Sequence, residues 1–254
     1  MQLKSSSDIS RFLPDEYKSL KIYSYDQVDS TNTVAKKFIL EKEKLPFVVI
    51  SESQSAGRGR LGRSFYSPAS TGIYMSIVSG GFTELPAAMF LTPAAAVAVT
   101  DAILSLTGKE AGIKWVNDIF LDNKKICGIL AESQKTDSGF AVIVGIGLNM
   151  TTKNFPDELE DIAGSLCTDV SHEQMAFEII KNLLNIIKSP QDKSYMKRYK
   201  DRSIVLGKEI YYIKNNEKKT ATAIDFDNSG GLIIQTPENE TVTLSGGEIT
   251  VRIK

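Results

Sequence analysis

The sequence holds one histidine, two cysteines and no long apolar run, and each shortage closes off a class of function. His172 stands alone in a polar run just before a helical pattern, so neither a zinc site nor a histidine-based triad is expected. Cys127 and Cys167 are too few for a disulfide framework; they fit a reducing compartment and read as buried small apolar residues. No stretch reaches the ~20 apolar residues of a membrane span. Residues 87–106 come nearest, but Thr92, Pro93, Thr100 and Asp101 interrupt them. The first ten residues lack an apolar core and are no secretory signal. A cytoplasmic protein without a membrane partner is expected. The net charge of −1 also argues against wholesale electrostatic capture of nucleic acid.

Two styles of sequence are present. Up to about residue 190, strand-like runs (residues 47–50, 72–78 and 140–148) alternate with helical ones (31–43, 86–106 and 173–188). Residues 113–117 and 119–121, the turn 122–125 and residues 126–131 suggest a hairpin. Beyond Pro190 only short β-type runs follow, at 209–213, 220–226, 232–236, 241–244 and 249–253, separated by turn residues. Five short strands over so short a span suggest a small β-barrel.

The chemistry concentrates in residues 51–68, SESQSAGRGRLGRSFYSP. Gly57, Gly59 and Gly62 satisfy G-x-G-x-x-G, but a dinucleotide fingerprint must open a helix, and Arg63-Ser64-Phe65-Tyr66-Ser67-Pro68 is a poor helix start. No Walker A motif and no kinase catalytic loop accompany it. What remains is a glycine-spaced loop bearing Arg58, Arg60 and Arg63. Its backbone can approach an anion closely, its guanidinium forks can grip one, and it can close as a lid. Four further groups have polar residues at element ends: Ser30-Thr31-Asn32, Lys114-Trp115-Val116-Asn117-Asp118, Lys125 before a buried strand, and Gly145-Ile146-Gly147-Leu148-Asn149. Each alone is weak.

Taken in order with Asp29, Gln54, the run from Lys125 through Gly128 to Leu130, and Ser245-Gly246-Gly247-Glu248-Ile249, these segments resemble the biotin protein ligase family over residues 20–254. The resemblance implies an α+β fold: a mixed-sheet catalytic domain of the biotin/lipoyl protein ligase type (1–200) and a small C-terminal SH3-like β-barrel (201–254). It implies two steps. Biotin carboxylate attacks the α-phosphate of ATP, giving biotinyl-5′-adenylate and pyrophosphate. A lysine of a biotin carboxyl carrier protein then attacks the mixed anhydride and releases AMP.

By the same resemblance, Ser30, Thr31, Asn32 and Gln54 would hold biotin, with Arg58, Gly59 and Arg60 closing over it and Gly128 beneath. Lys125 would touch the carboxyl and α-phosphate oxygens, and Arg58, Arg60 and Lys125 would carry the catalysis. Arg60, Arg63, Phe65, Lys114, Asn117 and Asn149 would meet ATP. Magnesium is expected to arrive with the nucleotide, with no protein ligands assigned. Val116 replaces the family's usual proline. Only about 20 residues precede the pattern, where bifunctional members carry a DNA-reading domain, so a ligase without a DNA partner is expected. A side-by-side homodimer is compatible with the family's sheet. Two rivals stay open: a lipoate–protein ligase, whose linear substrate needs less of a polar reader, and a DNA-binding regulator.

Overall fold

Alternation of apolar and small residues builds two different faces on one large sheet. The computed structural model describes residues 3–4, 14–83, 87–189, 192–214, 217–245 and 250–253. The sheet contains β1 (Leu3–Lys4), β2 (Lys21–Val28), β3 (Phe47–Gln54), β4 (Gly72–Phe82), β5 (Gly112–Lys114), β6 (Asp118–Leu121), β7 (Lys124–Thr136) and β8 (Gly139–Asn149). Their spatial order is β1-β2-β3-β4-β8-β7-β6-β5. Only β2 and β3 pair in parallel, as their crossover through helix α1 (Thr31–Leu40) requires.

On β4, Ile73, Met75 and Ile77 join one core and Val78 the other, the two-residue period of a strand. The first face is covered by α2 (Ala87–Thr107) and, beyond the four-residue α3 (Asp157–Glu160), by α4 (His172–Lys188). Fully buried alanines at 94, 95, 96, 98 and 102 let α2 lie close against its neighbours. Within it Phe90–Thr107 is long and apolar enough to cross a membrane, yet 61% of that window is packed inside the protein. Of the apolar stripe along the 173–188 helix, Met175, Ile179, Ile180, Leu183 and Leu184 are buried in α4, while Ile186 and Ile187 are half-buried at its end.

The second face is only half covered. Val34, Ala35 and Ile39 of α1 pack on Phe47, Val49, Val78, Ala141 and Ile143. Two residues beyond Ile143 on the same face of β8 come Gly145 and then Gly147, with Gly128 of β7 paired beside Gly147. Apolar side chains give way to bare backbone there, and that vacated patch becomes the floor of a cavity.

The C-terminal part forms a second, antiparallel sheet of β9 (Glu209–Lys214), β10 (Glu217–Phe226), β11 (Leu232–Gln235), β12 (Thr241–Leu244) and β13 (Thr250–Ile253). Its order, β12-β11-β10-β9-β13, leaves β12 and β13 at the two ends of the ladder. Ile210, Ala223, Leu232, Ile234 and Leu244 belong to the same continuous core as the first face of the large sheet. Helix α5 (Ser194–Asp201) links the two: the Tyr199 ring packs edge-on against Phe226 at 5.0 Å, while its hydroxyl donates to the Val116 carbonyl at 3.2 Å. Trp115 Nε1 donates to the Gly230 carbonyl at 2.8 Å. The five short β runs and the 119–131 hairpin stand as expected, whereas β1, β2, α3 and α5 had no counterpart in the sequence reading, the strand expected at 113–117 ends at Lys114, and Cys167, expected buried, is exposed. Pro86 and residues 246–249 of the C-terminal motif lie outside the described residues.

Candidate active site

The cavity over Gly128, Gly145 and Gly147 brings together twelve of the fourteen residues that the sequence singled out. It is lined by Ser30, Thr31, Asn32, Gln54, Arg58, Gly59, Arg60, Arg63, Phe65, Asn117, Lys125 and Gly128, among others, and holds about 130 Å³. A second cavity of about 570 Å³ shares Arg58, Gly59 and Arg60 in its wall and reaches Ser229 and Gly230 of the small sheet. Lys114 and Asn149 stand outside the first cavity's lining. Lys114 Nζ lies over the Phe120 ring at 5.4 Å, and Asn149 Nδ2 donates to the Gly164 carbonyl at 3.0 Å.

The floor requires glycine for steric reasons. A Cβ on Gly145 would lie 2.3 Å from Asn32 Oδ1, and one on Gly147 would lie 2.4 Å from the Phe65 ring. The glycines of β8 therefore admit the reader's amide at one point and an aromatic ring at the next.

Ser30 sits at the N-cap of α1, but its side chain makes no capping bond and it is 3% exposed. A buried serine hydroxyl that is not used on its helix is placed to meet a ligand. Thr31 N–H donates to Gln54 Oε1 at 2.9 Å, Gln54 Nε2 to Ser67 Oγ at 2.9 Å, and Ser67 Oγ to the Phe65 carbonyl at 3.0 Å. Ser76, fully buried on β4, bonds to Thr31 Oγ1 at 2.8 Å and to Asn32 Oδ1 at 2.6 Å. Its single proton must go to Asn32 Oδ1, which can only accept, so the Thr31 hydroxyl supplies the other bond. Asn32 Nδ2 in turn donates to Glu132 Oε2 at 2.8 Å. Ser67, Ser76 and Glu132 escaped the sequence reading. The available signal was Ser76, a polar residue between Met75 and Ile77 in an apolar strand.

The arginine loop folds back on itself instead of opening a helix. Gly59 N–H donates to the Arg63 carbonyl at 2.7 Å and Phe65 N–H to the Gly57 carbonyl at 2.9 Å. Leu61 and Gly62 take left-handed backbone, φ 56° and 74°, and make the reversal. Arg60 Nη1 donates to Asn117 Oδ1 at 3.2 Å, and the Asn117 side chain donates to the Ile129 carbonyl at 2.9 Å. Burial lowers the Arg60 pKa, with the Asp118 carboxylate pulling the other way.

Lys125 owes its direction to a bulge. The β6–β7 register jumps between Ile119↔Cys127 and Phe120↔Lys125. Without that extra residue Lys125 would share the core face with Cys127 and Ile129; with it, Ile126 and Cys127 both enter the core and Lys125 turns to the cavity. Its Nζ pairs with Asp118 Oδ1 at 2.7 Å. The cavity thus has a neutral hydrogen-bonding end at α1 and four cations, Arg58, Arg60, Arg63 and Lys125, with Glu132 set against Arg58 and Asp118 against Lys125.

Residues 24–149 match the biotin/lipoate A/B protein ligase family, and residues 205–252 match the biotin protein ligase C terminal domain. The bifunctional ligase/repressor BirA of Bacillus subtilis (strain 168) is 34% identical over 200 residues, covering 78% of this chain and 59% of that protein. The biotin--[acetyl-CoA-carboxylase] ligase of Mycobacterium tuberculosis is 30% identical over 213 residues, covering 80% of this chain and 77% of that protein. The biotin protein ligase from Aquifex aeolicus in complex with biotin and ATP superimposes with a TM-score of 0.77 at 24% identity, over 92% of this chain and 99% of that one. The chain thus spans 59% of the length of the first of these relatives. On the matches to the family and to its members, the chain belongs to the biotin protein ligase family.

Proposed function

We propose that this chain joins biotin to ATP as biotinyl-5′-adenylate and then transfers biotin to a lysine of a biotin carboxyl carrier protein. The observation that carries this reading is the two-ended cavity. Ser30, Thr31, Asn32 and Gln54 offer a fixed set of neutral donors and acceptors, which suits the polar ring of biotin. The four methylenes of its apolar tail would carry its carboxylate toward Lys125 and the arginines. At that end two anions, carboxylate and α-phosphate, must approach one another, so positive charge and orientation are what the chemistry needs. The carboxylate is already an ionised nucleophile and requires no base. That agrees with a cavity whose lining contains no histidine.

In this reading Lys125 spans the carboxyl and α-phosphate oxygens, held by Asp118 until they arrive. Arg60, fixed by Asn117, neutralises the charge that builds at phosphorus. Arg58 and Gly59 close over the acid, Gly128 leaves room beneath it, and Arg63 reaches the phosphates. Phe65, seated on Gly147, offers its ring to the adenine. An adenylate is too large for 130 Å³, since small-molecule sites run to ~300–1,000 Å³. It would extend into the neighbouring 570 Å³ cavity, so the loop between the two must lift to admit it. Among the described residues no three His, Cys, Asp or Glu side chains converge. Magnesium would therefore enter on the triphosphate, held by phosphate oxygens and water, where it supplies charge neutralisation. A cytoplasmic setting is part of the same proposal.

The test is transfer: labelled biotin, ATP and a biotin carboxyl carrier domain incubated with the full chain. Label is expected on one carrier lysine, dependent on ATP. Transfer of lipoate to its own carrier domain, with none of biotin, would overturn the reading.

A further inference from the structure

Glu132 lies on β7 at the rim of the vacated patch, and its carboxylate serves two masters. Oε1 lies 3.1 Å from Arg58 Nη2 and Oε2 lies 3.3 Å from Arg58 Nη1, so the lid's guanidinium is gripped end-on through both terminal nitrogens. Oε2 also accepts from Asn32 Nδ2 at 2.8 Å. The fold gains little from the ion pair, because the Arg58 side chain is 50% and the Glu132 side chain 29% exposed, and such pairs are weak.

The geometry instead ties two working parts together. Asn32 Oδ1 accepts from Ser76 at 2.6 Å, so only one amide orientation satisfies both ends: oxygen toward Ser76, nitrogen toward Glu132. A single carboxylate therefore fixes the amide of the reader and draws the lid down beside it. Building on the proposed ligase activity, we infer that Glu132 is a positioning residue that latches the arginine lid and couples its closure to occupation of the Ser30–Asn32 end. Reciprocity follows: whatever favours the closed lid favours the acid, and the acid favours the closed lid by the same factor.

Two variants of the full chain separate this role from a structural one. Glu132→Gln keeps the shape and one acceptor for Asn32 but removes the charge; Glu132→Asp keeps the charge. In the protein without substrates, tryptic cleavage after Arg58, Arg60 and Arg63, followed by peptide mass, reads lid opening. Cleavage should be about 3-fold faster in Glu132→Gln, the scale of a partly exposed ion pair. Wild type should approach the variant's rate as salt rises to 1 M, where charges are screened within ~3 Å, while the variant should show little salt dependence.

In turnover, Glu132→Gln should raise the KM for biotin and release more free adenylate per carrier modified, with kcat within about 2-fold. Glu132→Asp should recover most of both. A residue serving only the fold would lower Tm and kcat and leave KM and leakage unmoved. Equal cleavage and equal leakage in wild type and Glu132→Gln would overturn the latch. Absence of biotin-dependent turnover in wild type would instead sink the ligase reading, and the proteolysis would still decide the latch.

Discussion

Replacing Gly147 by alanine should unseat Phe65 without unfolding the strand beneath it. A Cβ at this position would stand 2.4 Å from Phe65 Cε1 and 2.8 Å from Cδ1 and Cζ. Carbon atoms need ~3.5 Å, so the shortfall is roughly 1 Å. The ring cannot simply slide away, since Tyr74 stands edge-on to it at 6.5 Å between centroids and Gly128 bounds it on β7. Overpacking on this scale costs about 1–3 kcal/mol. Because the ring belongs to the loop and not to the core, that cost should fall mainly on the nucleotide-bound state. It converts to a rise of about 5- to 150-fold in the KM for ATP in a biotin-dependent pyrophosphate exchange assay. Tm should drop by no more than about 2–4 °C, the shift that 1 kcal/mol gives in a chain of this size. Combining it with Phe65→Ala should give far less than the sum of the two effects, since both remove the same seat. An unchanged KM for ATP in Gly147→Ala, or strict additivity in the double variant, would refute the assignment of Phe65 to the nucleotide.

The remaining predictions concern the two ends of the cavity and its wall. Lys125→Ala should lower the exchange rate about 10²- to 10³-fold, as loss of a preorganised charge partner does, while calorimetry finds the fold intact; a tenth of wild-type rate remaining would contradict it. Gln54→Ala leaves the Thr31 N–H without its acceptor. It should destabilise by about 1–3 kcal/mol in urea titration and raise the KM for biotin more than that for ATP. Arg60→Gly should retain some adenylate synthesis but release the intermediate, and a leakage rate no higher than wild type would count against the lid. Burial pushes the Tyr74 phenol up to about 12 from an ordinary 10. The folded chain thus stays protonated where the unfolded chain ionises, and this contribution, full below pH ~10, is lost as pH rises toward about 12. Urea midpoints should therefore fall over that range, and fall less steeply in Tyr74→Phe.

How much of this was legible depends on how each residue is placed. The lid could be read because glycines interleaved with arginines have few uses, and the failure of residues 63–68 to open a helix removed the main competitor. The strand ends around Gly128 and Gly145–Gly147 were visible as glycines but not as a floor. That meaning appears only when β7 and β8 pair and Gly128 falls beside Gly147. Lys125 was picked out, yet the bulge that turns it toward the cavity leaves no mark in the sequence. Ser76 and Glu132 belong to no motif. Their part in the site comes from strand pairing, which sets them across from α1. Lys114 and Asn149 stand on the cavity's face of the sheet, Lys114 paired with Asp118 and Asn149 two residues beyond Gly147, yet lie outside the first cavity's lining. Helix α5 went unseen because its buried face is only Tyr195, Met196 and Tyr199 within a run of charges.

Biotin-dependent exchange of pyrophosphate into ATP tests the central claim most directly. Labelled pyrophosphate should enter ATP only when biotin is present, with no carrier added. Adding a biotin carboxyl carrier domain should then draw the adenylate off into biotinylated lysine. Exchange that proceeds equally without biotin, or that requires a different acid in its place, would contradict the account.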